Sequence, residues 1–164
     1  MKKVGLIMGS ASDLPIVEKA MATLGELGVP YETHVYSAHR CPDKAADFAR
    51  NAEKNGFAVL IGFAGMAAHL AGALAANTVL PVIGVPCKSN VMDGVDALLS
   101  TVMMPSGIPV ACVAVDGGVN ASLLAAQIIA TSDGTVAEKL RARREKDRAK
   151  ALASDAEIAA KYNK

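Results

Sequence analysis

The alternation of strand-like and helix-like segments is the feature that most restricts the fold of this chain. Five short strand-like runs, most of them apolar, alternate with segments of helical periodicity, and the loops between them are short. Continuous apolar strands separated by helices are typical of a parallel sheet that is buried on both faces. The pattern therefore predicts an α/β fold with three layers, a doubly wound parallel sheet between two layers of helices. The predicted strands are Lys3–Met8, Tyr31–Tyr36, Ala58–Phe63, Val82–Val85 and Val110–Val115.

Helices are predicted between and after these strands. The first begins after Asp13 with an apolar stripe and ends at Gly28, and the second, Pro42–Asn55, begins at a proline and ends before Gly56. Proline suits the first turn of a helix, and glycine suits the position just after its last turn. Three further helices are predicted at Ala67–Ala76, Val95–Met103 and Asn120–Ala130.

The C-terminal part of the chain differs in charge from the rest. Residues 1–137 hold 8 Lys and Arg against 11 Asp and Glu, whereas residues 138–164 hold 9 against 5. The interspersed acidic residues favour a solvated helix over a tail that binds an acidic partner. We therefore predict a doubly wound domain over residues 1–133 and a helical extension over 134–164 that packs on the domain or on a neighbouring subunit. The overall charge of +1 argues against nucleic acid as the partner.

The twenty residues of Phe57–Ala76 carry no formal charge and are long enough to span a bilayer. A β-rich stretch, a small glycine-containing stretch and an alanine-rich stretch follow one another within this run, and no Lys or Arg cluster flanks it. These features favour a strand, a tight loop and a buried helix. No membrane association is expected.

The cysteines indicate the cellular compartment of the protein, and its hydropathy indicates whether the chain associates with copies of itself. Cys41, Cys87 and Cys112 are widely spaced, and no signal peptide precedes the strand at the N-terminus, which together predict a reduced, cytoplasmic protein. We interpret the three cysteines as small buried hydrophobes. A mean hydropathy of +0.30 predicts that the chain buries surface against copies of itself.

Ligands of doubly wound sheets bind beyond the carboxyl ends of the strands, and the loop after the first strand is a candidate site. Gly9 allows an unusual turn, and Ser10 and Ser12 can donate to phosphate oxygens. The carboxylate of Asp13 suits ribose hydroxyls and would repel phosphate. Simple capping of the following helix by Ser12 or Asp13 is the structural alternative.

The loop after the second strand contains Ser37, Ala38, His39 and Arg40. Arg40 can supply the positive charge that a phosphate dianion needs, and the imidazole of His39 can act as an acid or a base. A histidine in a surface loop without a chemical role is the alternative. His34 lies inside a predicted strand.

The loop after the third strand, residues 62–70, is rich in small residues, among them Gly65 and Ala67, and also holds His69. Small residues let a ligand approach the backbone closely. Tight helix packing explains the same residues without a ligand.

Six motifs in register carry a family resemblance from Val4 to about Asp133. They are GSASD, SAHR, AAHL followed by Gly72, PVIGVP, the stretch from GVDALLS through MPSGIPVA, and NASLLAAQI. With these motifs the chain resembles the catalytic subunit family of phosphoribosylaminoimidazole carboxylase, and within it the N5-carboxyaminoimidazole ribonucleotide mutases of purine biosynthesis. The resemblance implies a flavodoxin-like fold, a homo-octamer, and no cofactor or metal. It also implies functional coupling to the ATP-dependent enzyme that makes the N-carboxylated substrate.

By the same resemblance, His39 is the general acid and base that moves a carboxylate from the exocyclic nitrogen of the substrate to a ring carbon. Released carbon dioxide stays trapped beside the aminoimidazole. Arg40 is implied to bind the phosphate. The resemblance places the other expected contacts in the three loops: Ser10, Asp13, Ser12 and Ser37 for the nucleotide, with Gly9 and Ala38 beside them, and Gly65, Ala67 and His69 for the carbon dioxide pocket.

Four residues depart from the family pattern. Phe63 and Met66 replace glycines, Ala71 replaces a proline, and Met103 replaces a glutamine. We expect these changes near the carbon dioxide pocket, where they bear on the choice between mutase and carboxylase and not on the nucleotide site. The alternatives are direct carboxylation of aminoimidazole ribonucleotide by free carbon dioxide and a non-catalytic nucleotide-binding module. A flavin-binding protein is disfavoured because no aromatic residue is placed to stack on the ring.

Overall fold

The computed structural model describes residues 2–163 and contains one sheet of five parallel strands. The strands are β1 (Lys3–Met8), β2 (Tyr31–Val35), β3 (Phe57–Gly65), β4 (Val82–Cys87) and β5 (Ala111–Cys112). Their order in the sheet is β2-β1-β3-β4-β5. This order is that of the flavodoxin-like fold, in which the chain reverses direction across the sheet between β1 and β3. The predicted fold class is confirmed.

Six α-helices accompany the sheet, with one turn of 3₁₀-helix at Ala11–Asp13 before the first of them. Gly28 ends α1 with a φ of 66°, a left-handed conformation that glycine adopts without strain. The helices are α1 (Leu14–Leu27), α2 (Pro42–Asn51), α3 (Leu70–Ala75), α4 (Val95–Val102), α5 (Gly118–Ala130) and α6 (Gly134–Tyr162).

Both faces of the sheet are buried. Neighbouring residues of each central strand point to opposite faces, so Leu6 belongs to the core under α1 and α5, and Ile7 belongs to the core under α2 and α3. On the second face α3 approaches β3 so closely that a Cβ on Gly62 would lie 3.1 Å from the Cα of Ala71. The two cores hold the strands rigid and present the loops at their carboxyl ends.

The structure changes several predicted element bounds. β3 continues to Gly65, two residues past the predicted end, and α3 begins only at Leu70. The second helix ends at Asn51 and is followed by turns instead of continuing to Asn55. β5 comprises two residues where six were predicted, because it is an edge strand that pairs only with β4 and follows Pro109.

The uncharged run Phe57–Ala76 is divided between β3, a loop and α3, as predicted. No helix within residues 2–163 has the length and apolar character needed to cross a membrane. Cys87 is buried, whereas Cys41 and Cys112 are half-buried, and all three are free thiols.

The last helix, α6, leaves the body of the protein after its first three turns. Asp133 caps it by accepting hydrogen bonds from the amides of Thr135 and Val136 at 3.0 and 3.2 Å. Val136 is buried in the core, and the Nζ of Lys139 donates to the carbonyl of Leu27 at 3.0 Å. Every residue from 144 to 158 is exposed.

Candidate active site

A cavity of about 470 Å³ opens at the carboxyl edge of the sheet, beside the ends of β1 and β3. This is the point at which the strand order reverses, and it is where doubly wound sheets bind ligands. Four loops line the cavity, those that follow β1, β2, β3 and β4. All the site residues predicted from the sequence line it: Gly9, Ser10, Ser12, Asp13, Ser37, Ala38, His39, Arg40, Gly65, Ala67 and His69.

The loop after β1 is held by hydrogen bonds within itself. The Oγ of Ser10 accepts from the amide and from the hydroxyl of Ser12, at 3.3 and 2.9 Å. The carboxylate of Asp13 accepts from the amide of Ser10 at 3.2 Å, which completes a capping box. Capping therefore employs the same side chains that line the cavity, so the capping role of this loop is compatible with ligand binding.

Asp13 is the buried acid of the site, with 9% of its surface exposed. Burial raises the pKa of its carboxyl group, the hydrogen bond from the Ser10 amide opposes that shift, and the nearby charge of Asp116 adds to it. Burial also raises the pKa of the neighbouring Cys87 thiol. Cys87, which lies outside the cavity lining, is therefore a neutral, unreactive thiol behind the site.

Replacing Asp13 by Asn is expected to change how stability depends on pH. The folded protein binds the Asp13 proton more tightly than the unfolded chain, whose carboxyl has the ordinary pKa of 3.8. Between 3.8 and the raised pKa, the contribution of Asp13 to the free energy of unfolding should fall as pH rises, because the unfolded state releases its proton first. Asp13→Asn keeps an acceptor for the Ser10 amide and removes this loss.

Urea unfolding of both proteins at a series of pH values from 3.8 to neutrality measures the effect. The difference in stability between Asp13→Asn and the native protein should grow with pH across this window. Parallel pH profiles for the two proteins would show that burial does not oppose ionisation of Asp13.

The loop after β2 presents its charged side chains to solvent and to the cavity. The Oγ of Ser37 accepts from the amide of Arg40 at 3.3 Å, which fixes the backbone under the guanidinium group. His39 and Arg40 are exposed, and no carboxylate within residues 2–163 forms an ion pair with Arg40. The positive charge of Arg40 is therefore free to pair with an anionic ligand. His34 lies outside the cavity lining and stacks on Tyr36.

His39 and His69 form a side-chain contact between two loops of the site. The Nε2 of His39 lies 2.9 Å from the Nδ1 of His69, and the two rings meet edge to face. One of these nitrogens donates a proton and the other accepts it. The pair joins the loop after β2 to the loop after β3 across the end of β1.

The end of β3 and the loop after it form an apolar wall of the cavity, with Ala64 and Gly65 in the strand, Ala67 in the loop and Leu70 at the start of α3. Met66 lies in this wall with 60% of its surface exposed and a φ of 54°. A positive φ strains a residue with a Cβ, so this backbone position is one that suits glycine.

The four residues that depart from the family pattern were expected near the carbon dioxide pocket, and the structure corrects this expectation for three of them. Only Met66 lines the cavity. Phe63 is fully buried in the core under α1 and α5 because β3 continues past it, and Ala71 packs against Gly62. Met103 is exposed at the end of α4. Three of the four changes therefore adjust packing or surface and do not touch the cavity.

Two lining residues, Lys88 and Ser89, were missed in the sequence. They follow β4, so the rule that drew attention to the other three loops could have found them. A lysine and a serine after a strand are common in plain surface turns, and no histidine or glycine cluster marks this loop.

Comparison with known proteins agrees with the fold. The sequence model of the AIR carboxylase family matches residues 3–150. The chain is 55% identical over 138 residues to a Pyrococcus horikoshii protein named N5-carboxyaminoimidazole ribonucleotide mutase, covering 84% of this chain and 78% of that protein. It is 49% identical over 157 residues to a Bacillus subtilis protein of the same name, covering 94% and 97%.

A solved structure is similar over its whole length. The crystal structure of Treponema denticola PurE superposes on this chain with a TM-score of 0.85 and 28% sequence identity, and the match covers 100% of both chains. The extent of the family match and the identity to these relatives exceed what a shared fold alone produces. The chain belongs to the AIR carboxylase family.

Proposed function

We propose that this chain converts N5-carboxyaminoimidazole ribonucleotide to 4-carboxyaminoimidazole ribonucleotide, a step of purine biosynthesis. The observation that carries the proposal is that the three loops expected to hold the substrate meet in one cavity, with His39 in contact with His69. The names of the relatives at 49 and 55% identity support the same reaction.

His39 is proposed as the single acid and base. It gives a proton to the carbamate nitrogen of the substrate, and the bond between that nitrogen and the carboxyl carbon breaks to release carbon dioxide. The ring carbon then attacks the trapped carbon dioxide, and His39 takes the proton that this carbon loses. His39 gives up one proton and regains one in each turnover, so no second acid or base is needed. The contact with His69 orients the imidazole ring of His39 for both transfers.

The substrate is held by the loops after β1 and β2. Arg40 binds the phosphate with a charge that no carboxylate within residues 2–163 neutralises. Asp13 accepts from the ribose hydroxyls, which restore hydrogen bonds to a buried carboxylate. Ser10, Ser12 and Ser37 complete the nucleotide site.

Carbon dioxide is proposed to stay against the apolar wall of the loop after β3. Gly65 and Ala67 in this wall carry no polar side chain and leave room for a small neutral molecule. Confinement beside the ring replaces a bimolecular capture by an intramolecular one.

We further propose a cytoplasmic homo-octamer in which residues 1–133 form the catalytic domain and α6 packs on a neighbouring subunit. Two apolar surfaces without a partner in the protomer support assembly. One is the face of α4 with Val95, Leu99 and Val102, each 46 to 53% exposed, and the other is the outer half of α6 with Leu152 and Ile158. A stable monomer in light scattering would contradict the assembly.

An absorbance assay with two substrates tests the reaction. The purified protein receives N5-carboxyaminoimidazole ribonucleotide in one cuvette and aminoimidazole ribonucleotide with bicarbonate in another. Fast conversion of the first alone is the expected result. Efficient turnover of the second at low bicarbonate would indicate a carboxylase that uses free carbon dioxide, and no turnover with retained nucleotide binding would indicate a non-catalytic module.

A further inference from the structure

The loop after β4 brings a second cation to the cavity. Arg40 follows β2 and Lys88 follows β4, so the two residues stand on opposite flanks of the site. Three strand spacings separate β2 from β4, roughly 14 Å along the sheet edge. A ligand that lies across the cavity therefore meets a positive side chain at each end.

The backbone at Lys88 is anchored, whereas its side chain is not. Its amide donates to the carboxylate of Asp116 at 2.9 Å, and the hydroxyl of the next residue, Ser89, donates to Asp96 at 3.2 Å. The ammonium group pairs with Asp93 at 3.0 Å, with 57% and 81% of the two side chains exposed. Exposed pairs of this kind contribute little stability, so Lys88 can exchange Asp93 for a ligand at small cost.

Lys88 stands next to the wall proposed for the carboxyl group. Gly65 pairs with Cys87 in the register of β3 and β4, and a Cβ on Gly65 would lie 3.1 Å from the carbonyl oxygen of Cys87. Lys88 is the residue that follows. Arg40 lies on the opposite flank of the cavity, beside the loop after β1 that holds Ser10 and Ser12.

The negative charge of the proposed substrate exceeds the positive charge that Arg40 alone supplies. The proposed substrate carries a phosphate dianion and a carboxylate, whereas Arg40 is the one cation that the sequence assigned to it. Asp13 adds a negative charge when it is ionised. A second cation at the carboxylate end brings the charge of the cavity closer to that of its ligand.

We propose that Lys88 is a specificity-determining residue that leaves Asp93 and pairs with the carboxylate of the substrate. The inference rests on the proposed function for the identity of the ligand. The contact forms with the carboxylate of both substrate and product, whereas trapped carbon dioxide is neutral. Losing a contact that stabilises the bound ground states more than the transition state toward neutral carbon dioxide raises KM and kcat together, so that kcat/KM changes little.

Lys88→Gln tests the proposal, with Lys54→Gln as its matched control. Lys54 is an exposed lysine in the turn before β3, at the opposite edge of the sheet. Calorimetry measures the Kd of 4-carboxyaminoimidazole ribonucleotide and of aminoimidazole ribonucleotide, which lacks the carboxylate, and the assay measures KM and kcat. Lys88→Gln should raise the Kd of the carboxylated nucleotide and KM about tenfold, leave the other Kd within about twofold, and raise kcat, so that kcat/KM changes little. Lys54→Gln should change none of them.

The remaining outcomes separate the two proposals. Equal weakening of both nucleotides would place Lys88 on the phosphate and overturn the carboxylate contact, and so would unchanged binding of both. If the native protein binds both nucleotides with the expected dependence on Lys88 but converts neither, the proposed reaction fails and the contact stands. If the native protein binds neither nucleotide, both proposals fail.

Asp93→Asn should change binding of the carboxylated nucleotide in the opposite direction to Lys88→Gln. Asp93 has a φ of 52°, a conformation that Asn also tolerates, so the loop should keep its shape. Release of Lys88 from its exposed partner should tighten binding of the carboxylated nucleotide by about twofold. Weaker binding in this variant would show that the pair with Asp93 holds Lys88 in place for the ligand, which contradicts the exchange.

Discussion

His39→Asn is expected to lower kcat by about a thousandfold or more while the nucleotide still binds. The substitution removes the group that carries the proton between the exocyclic nitrogen and the ring carbon, and Asn has no titratable proton near neutrality. Asn is close in size to the imidazole, and position 39 is exposed, so the fold should be unaffected. The measurements are kcat with N5-carboxyaminoimidazole ribonucleotide and the Kd of 4-carboxyaminoimidazole ribonucleotide.

His34→Asn is the matched control for this variant. His34 lies in β2, outside the cavity lining, so the same chemical change there should leave kcat unaltered. A His39→Asn protein with a near-native kcat would remove His39 from the mechanism. Loss of both binding and turnover would instead assign it to substrate binding.

Arg40→Ala is expected to weaken nucleotide binding about a hundredfold, or roughly 2.7 kcal/mol. The guanidinium group can bind a phosphate dianion with two parallel hydrogen bonds, and alanine leaves that anion without its charge partner. Binding of a neutral nucleoside should change far less, because it lacks the phosphate. Calorimetry with the nucleotide and with the corresponding nucleoside separates these contributions.

Arg50→Ala tests whether a general loss of positive charge explains the result. Arg50 lies on α2 at the end remote from residue 40, outside the lining of the site, and pairs with Asp47. Its removal should leave the Kd of the nucleotide unchanged. Unaltered affinity in Arg40→Ala would disprove the phosphate contact, and raising the ionic strength should shrink any effect that comes from long-range charge alone.

The fold was predictable because burial on both faces makes each central strand a continuous apolar run. The run around Leu60 shows this most clearly, since it could be assigned to a strand by composition alone. The length of the edge strand β5 was overestimated because apolar sequence does not show where strand pairing stops. Apolar residues around Val110 continue past the point at which an edge strand has a partner to pair with.

The sequence predicted most of the residues that line the cavity, but it did not predict the contacts that they make with one another. Each loop could be placed at the carboxyl edge because it follows a strand. The pairing of His39 with His69 depends on the strand order, since β1 separates β2 from β3 and no local pattern states that order. Phe63 was expected near the carbon dioxide pocket, and it lies in the core instead because β3 continues two residues past it, to Gly65.

The free outer half of α6 determines how a single protomer moves through water. Residues 144–162 span roughly 28 Å of helix, whereas a compact body the size of residues 2–133 has a radius of gyration of about 14 Å. A lone protomer therefore has a higher frictional coefficient than a sphere of its mass and sediments more slowly. Packing α6 against a neighbouring copy would lower the drag on each subunit.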